Sequence, residues 1–128
     1  MTAIEVVTAY SEALSQGDIP TAFSHFSPDA KWHQPGNHQF SGTKRGLEAI
    51  GKMLGDMMST TQGSLVINPT GALMSNGNFI SFPVRFTGKN GDKTIDMNGV
   101  DLFEVVDGKI VQVWLFSEDQ TAEDAFWA

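Results

Sequence analysis

Cysteine is absent from the 128 residues. That one absence excludes a disulfide framework, a thiol nucleophile and a thiolate metal site together, and it fits a reducing compartment. Basic residues are scarce, with 8 Lys and Arg against 15 Asp and Glu and a formal charge of −7. Such a chain is a poor match for phosphate backbones and anionic lipid, so neither nucleic acid nor a membrane is an expected partner. No apolar run approaches the ~20 residues of a membrane span. Residues 1–9 carry neither the basic start nor the long apolar stretch of a signal peptide, so a cytoplasmic location is expected. No phosphate loop, dinucleotide fingerprint or nucleophile elbow occurs. No repeat, low-complexity tract or linker divides the chain, so residues 1–128 read as one domain, long enough for its own core.

What is present is a change of apolar period. Residues 3–15 set Ala3, Val7, Tyr10 and Leu14 at helical spacing, and Gly17 ends that helix. Asp18 can cap a second helix with Pro20 in its first turn and a stripe of Ile19, Ala22, Phe23 and Phe26. Ser27-Pro28-Asp29 reads as a turn, Ala30 to Gln34 as a short strand stopped by Pro35-Gly36, and the polar stretch to about Lys44 as a loop. A third helix from about Gly46 to Ser59 is expected to bury Leu47, Ile50, Leu54, Met57 and Met58.

Beyond Gly63 the signals turn β. Leu65 to Met74 contains Pro69 and Gly71 and reads as a kinked or edge strand. Phe79 to Thr87, Lys93 to Val106 and Lys109 to Phe116 follow as strands joined at Asn90-Gly91 and Asp107-Gly108, before a short helix from Asp119 to Trp127. Three helices and then a curved antiparallel sheet is an α+β layout. Long bent strands wrapped on helices make a cone-shaped α+β barrel with an interior.

Period 2 sorts the strand residues by face. Ala30, Trp32 and Gln34 share one face and Lys31 and His33 the other. On the long strand Ile95, Met97, Gly99, Asp101, Phe103 and Val105 form a row that is apolar except for Asp101, opposite Phe82, Val84 and Phe86 of the neighbouring strand. Burial raises the pKa of such a carboxyl, and a neutral carboxyl donates a hydrogen bond to a carbonyl or enolate oxygen. Tyr10, the only tyrosine, lies on the core face of its helix and needs a partner for its hydroxyl. Together the phenol and the carboxyl would make an oxyanion-binding pair; each alone can equally be a packing residue. His33 is expected to face away, His38 to edge the cavity mouth and His25 to face solvent. Their scatter over a helix, a strand and a loop gives no metal-ligand motif, and no cofactor is implied. Asp119 reads as a helix cap, Arg85 faces away from the Phe82 row, and Met53, Met57 and Met58 read as helix core. Trp114 and Phe116 cover the outer sheet face, a surface suited to a homodimer, while Phe126 and Trp127 either lid the cavity or pack on a partner chain.

Three segments carry a resemblance. They are Ala9 to Asp18, Phe26 to Gly36, and Val100 to Val111 with Trp114, with Gly42 and Gly46 between them. In order and spacing they resemble the SnoaL-like and ketosteroid-isomerase-like proteins of the nuclear transport factor 2-like, cystatin-like superfamily. The resemblance implies that Tyr10 matches the oxyanion-binding tyrosine of the isomerases. It implies that Asp101 matches their protonated aspartic acid, and the strand carboxyl with which the cyclases move a proton. Gln34 falls where the isomerases place a general-base aspartate, and an amide accepts no proton near neutral pH. The function implied is acid/base chemistry, of an isomerase or polyketide-cyclase kind, on a small apolar carbonyl compound in an internal cavity. Tyr10 and Asp101 would carry it, with Gln34 as a polar contact, His38 at the rim, and Trp32, Phe82, Val84, Phe86, Met97 and Phe103 shaping the pocket. The alternative is a ligand-binding or assembly module without turnover.

Overall fold

A computed structural model describes residues 1–128. Thr2 opens the first helix, α1 (Ala3–Ser15): its hydroxyl accepts from the Glu5 N–H, and the Glu5 carboxylate accepts from the Thr2 N–H. The face so fixed buries Val6, Val7, Tyr10 and Ala13. Asp18 caps α2 (Ile19–Ser24) through the Thr21 N–H. The chain then runs through β1 (Phe26–Gln34) and β2 (Gly42–Arg45) into α3 (Leu47–Thr60). The rest is β3 (Val66–Pro69), β4 (Met74–Asn76), β5 (Phe79–Asn90), β6 (Lys93–Val106), β7 (Lys109–Ser117) and the terminal helix α4 (Gln120–Trp127), which Asp119 caps at the Ala122 N–H.

The strands form one curved, unclosed sheet in the order β2-β1-β7-β6-β5-β3, with β4 also on β5. Every pairing is antiparallel except β1 with β7, which lie at opposite ends of the sequence and meet in parallel. The long β5–β6 ribbon is in continuous register from Phe79↔Glu104 to Asn90↔Lys93. At the β6–β7 turn Asp107 and Gly108 both take positive φ, 52° and 76°, the pair of values that matches the twist of the flanking strands. Helices and inner sheet face bury one cluster of 23 apolar residues, and that cluster includes Tyr10, Trp32, Phe82, Val84, Met97 and Phe103.

Local differences from the sequence reading arise where pairing outweighs pattern. Ser27-Pro28-Asp29 is not a turn that precedes a strand but part of β1, absorbed in a register shift between Phe26 and Lys31. Gly42 to Arg45, read as loop, is an edge strand because Gln34 to Lys31 offer it a ladder. On α3 the buried residues are Ile50, Met53 and Met57, whereas Met58 points outward and Leu47 and Leu54 are half-buried against the core.

Candidate functional site

Register places the inner-face residues in rows across the sheet. Trp32 pairs with Val113, and Val113 with Phe103. One level on, Phe82 pairs with Asp101 and Asp101 with Leu115. Gln34 lies one residue beyond the His33↔Trp114 pair and so reaches the level of Leu115. Gln34, Leu115, Asp101 and Phe82 therefore form one inward row on four adjacent strands. The Cα positions of Gln34 and Asp101 are about two strand spacings apart, roughly 10 Å.

Tyr10 descends on this row from α1. It is 3% exposed, and its ring sits 5.1 Å from that of Phe26 and 5.6 Å from that of Phe103. Burial first, and the negative charge of Asp101 second, push its pKa well above the ordinary phenol value. The phenol thus stays protonated and remains a donor. Burial alone raises the Asp101 carboxyl from 3.8 to about 7. No hydrogen bond joins the two groups; their coupling is through space.

The accessible surface of Asp101 tells a second thing. The residue is only half-buried, although protein atoms crowd its carboxyl enough to shift its titration. His38 Nε2 is the one side-chain polar atom that is both sealed from solvent and without a partner. The Tyr10 hydroxyl and the Asp101 carboxyl bond to no group of the chain, and neither is among the sealed, partnerless atoms. Surface depressions elsewhere do not reach them. One of about 410 Å³ lies on the outer face between Met74, Phe79 and Leu102, and one of about 300 Å³ lies between Asp29, Lys31 and Arg45.

Gln34 is 7% exposed and has a buried partner: the Trp32 indole N–H donates to its Oε1 over 2.9 Å. Phe82, Val84, Met97 and Phe103 are buried beside this row, and Phe86 is half-buried against the same core. His38 is half-buried in the loop between β1 and β2. Its Nδ1 accepts from the Phe40 N–H at 3.1 Å, its ring lies 6.2 Å from that of Trp127, and burial foremost lowers its pKa.

His33 faces out, bonded to Thr43 and Gln112 and stacked on Trp114 at 5.1 Å. Arg85 is also outward, paired with Asp96 over 2.6 Å. No group of three or more His, Asp or Glu side chains is arranged to hold a metal ion.

Leu115 sits between Asp101 and Gln34, on the face that alternation gives it with Val113, opposite Trp114 and Phe116. Sequence reasoning passed over one residue. Glu123 is a buried carboxylate on α4 that accepts from Ser117, Gln120 and the Trp127 indole. Its helical spacing to Phe126 and Trp127 was the available signal.

Comparison with known proteins adds four findings. A family model for a SnoaL-like domain matches residues 7–113. An uncharacterized protein of Mycobacterium tuberculosis is 25% identical over 125 residues, 98% of this chain and 95% of that one. A crystal structure of a protein of unknown function with a cystatin-like fold, from Xanthomonas campestris, superposes with a TM-score of 0.95 at 46% identity, covering 100% of this chain and 99% of that one. More distantly, IdmH of Streptomyces antibioticus, described as a candidate polyketide cyclase, shares the fold with a TM-score of 0.74 at 16% identity over 92% of this chain and 93% of that one.

Proposed function

The chain belongs to the SnoaL-like domain family, and from that premise we propose that it is an enzyme that moves a proton at the carbon beside the carbonyl of a small apolar compound. The observation that carries this reading is the pair of partnerless, through-space-coupled groups, a phenol on α1 held protonated and a carboxyl on the inward strand row raised to about 7. A carboxyl titrating near neutrality both takes and returns a proton, which is what general acid/base catalysis requires. The Asp101 carboxylate removes the α-proton, the C–H electron pair becomes the C=C bond of an enolate, and the carbonyl π electrons move onto oxygen. The Tyr10 O–H donates to that oxygen as its charge grows. Return of the proton to a different carbon is an isomerisation. Attack of the enolate carbon on a second carbonyl, whose oxygen takes the proton from Asp101, is a cyclisation. The fold likeness to IdmH, a candidate polyketide cyclase, supports the second form.

The test follows deuterium exchange by NMR at the α-carbon of 1-tetralone, a compact apolar ketone, in heavy water. The expected result is catalysed exchange whose rate rises through about pH 7 as Asp101 ionises. Asp101→Asn abolishes it, and Tyr10→Phe slows it by about 10²–10³, the usual effect of losing one oxyanion donor. Exchange unchanged in Asp101→Asn removes the proposed role. Tight binding of the ketone with no exchange favours a module that binds without turnover, the reading suggested by an amide, Gln34, where the isomerases carry an acid.

A further inference from the structure

The amide of Gln34 has two unlike ends, and the chain uses only one of them. Its Oε1 accepts from the Trp32 indole, both side chains being buried on the inner face of β1. That bond settles which way the amide points, because the reverse orientation would set an N–H against an N–H. The Nε2 end is left with two donors and no acceptor within the chain. It is not sealed either, since His38 Nε2 alone combines burial with the lack of a partner. Two N–H donors are therefore left over on the same inward row that carries Asp101. Nothing else on this row is polar: Leu115 and Phe82 fill the positions between and beyond.

We propose that Gln34 is a specificity-determining hydrogen-bond donor, and Trp32 its positioning residue, for a ligand that carries a second oxygen acceptor across a ring from the carbonyl that Tyr10 binds beside Asp101. The inference rests on the functional reading above and adds the substrate class to it. The spacing sets the class. About 10 Å separates the backbone positions of Gln34 and Asp101. Two contacts of about 3 Å each, the Gln34 hydrogen bond at one end and the approach of the Asp101 carboxylate to the α-carbon at the other, take up most of that span, and the remainder is about the width of one carbon ring. The indole supplies the orientation: without its N–H the amide rotates freely, and the acceptor end faces the ligand as often as the donor end. A ligand lacking the second oxygen leaves both N–H groups unpaired in an apolar wall, which is where discrimination comes from.

The test compares two probes on one skeleton, 1-tetralone and 4-hydroxy-1-tetralone, which differ by a single oxygen across the ring from the ketone. Affinities are measured by calorimetry on the intact protein. Wild type is expected to bind the hydroxylated probe about 10-fold more tightly, the worth of one hydrogen bond to a buried partner. Gln34→Leu should remove the preference, chiefly by tightening 1-tetralone, because no N–H is then left unpaired against it. Trp32→Phe, with the amide retained, should reduce the preference too, an effect on a ratio that loss of packing alone does not produce. A preference that survives in Gln34→Leu overturns the proposal, and so does a wild type that favours 1-tetralone. These outcomes are separate from the exchange experiment. Exchange present with no preference sinks only the role of Gln34, whereas a wild type that binds neither probe sinks both readings.

Discussion

At the scale of the residue, Asp101 is where function and stability pull apart. Its carboxyl is raised from 3.8 to about 7 by burial, so the native state holds a proton that the unfolded chain releases. Below about pH 4 both states are protonated and the residue costs nothing. Between about pH 4 and 7 the native state binds more protons, so stability falls as pH rises, and above 7 the penalty is constant. Asp101→Asn removes the charge and is expected to match wild type near pH 4 and to exceed it near pH 8. The gap is on the order of 2 kcal/mol once residual solvent access is discounted, read from urea midpoints at the two pH values. A flat difference would mean that the carboxyl titrates normally. The placement of Asp101 and Tyr10 was legible in the sequence because period 2 and period 3.6 assign faces without knowledge of the fold. The bond from Trp32 to Gln34 was not, because alternation puts both side chains on one face but does not choose their rotamers. The surroundings of His38 were not legible for a related reason: a loop residue has no period, and only the seating of α4 puts Trp127 beside its ring.

At the scale of the element, α4 is the part that ties the end of the chain back onto β6 and β7. Polar contacts along its C-terminal half hold it. Asn37 N–H donates to Asp124 over 3.0 Å, Gln39 donates to the Trp127 carbonyl over 2.8 Å, and Asn90 donates to the Phe126 carbonyl over 2.8 Å. Phe126 and Trp127 are buried, with the Trp127 ring edge-on to Phe40 at 5.1 Å. The clamp depends on Gly36. Its φ is +87°, and a Cβ there would overlap the side chains of Asp124 and Gln120. Gly36→Ala should therefore destabilise the protein by about 1–3 kcal/mol through backbone strain and displacement of α4. Urea unfolding followed by tryptophan fluorescence checks this, and an unchanged midpoint would mean that the loop shifts freely without its glycine. A Pro-Gly pair marks a chain reversal in any sequence, so the stop after Gln34 was readable. That the stop doubles as a docking seat for residues some 85 positions later was not, because only tertiary contact creates it. The same holds for β2, whose Gly-Thr-Lys-Arg sequence has no strand pattern and pairs because β1 would otherwise be an edge.

At the scale of the whole molecule, the sheet has two faces and the chain covers only one. The concave side carries the core and the candidate site. On the convex side Phe79, Val100 and Phe116 remain exposed, Phe116 to 55%, with Met74 exposed to 61% beside them. The alternation that sent Asp101 inward sends these outward, so the two surfaces are consequences of one pattern. Apolar side chains gathered on a sheet face are the composition of an interface core rather than of a solvated surface. We expect two copies to pair through this face, against the repulsion of two bodies each carrying −7. Salt screens that repulsion over a Debye length of about 10 Å at 0.1 M and leaves apolar burial intact. Dimerisation should therefore tighten between about 20 and 200 mM salt, the reverse of an association built on ion pairs. Phe116→Asp should weaken it at least about 10-fold. Because Phe116 lies outside the buried cluster, the variant monomer should keep the wild-type exchange rate with 1-tetralone, and its thermal midpoint should fall only by the stabilisation that association gives the wild type, a gap that closes on dilution. Sedimentation velocity across the salt range decides it: a wild type that stays monomeric at micromolar concentration, or a dimer indifferent to Phe116→Asp, would assign the convex face some other role.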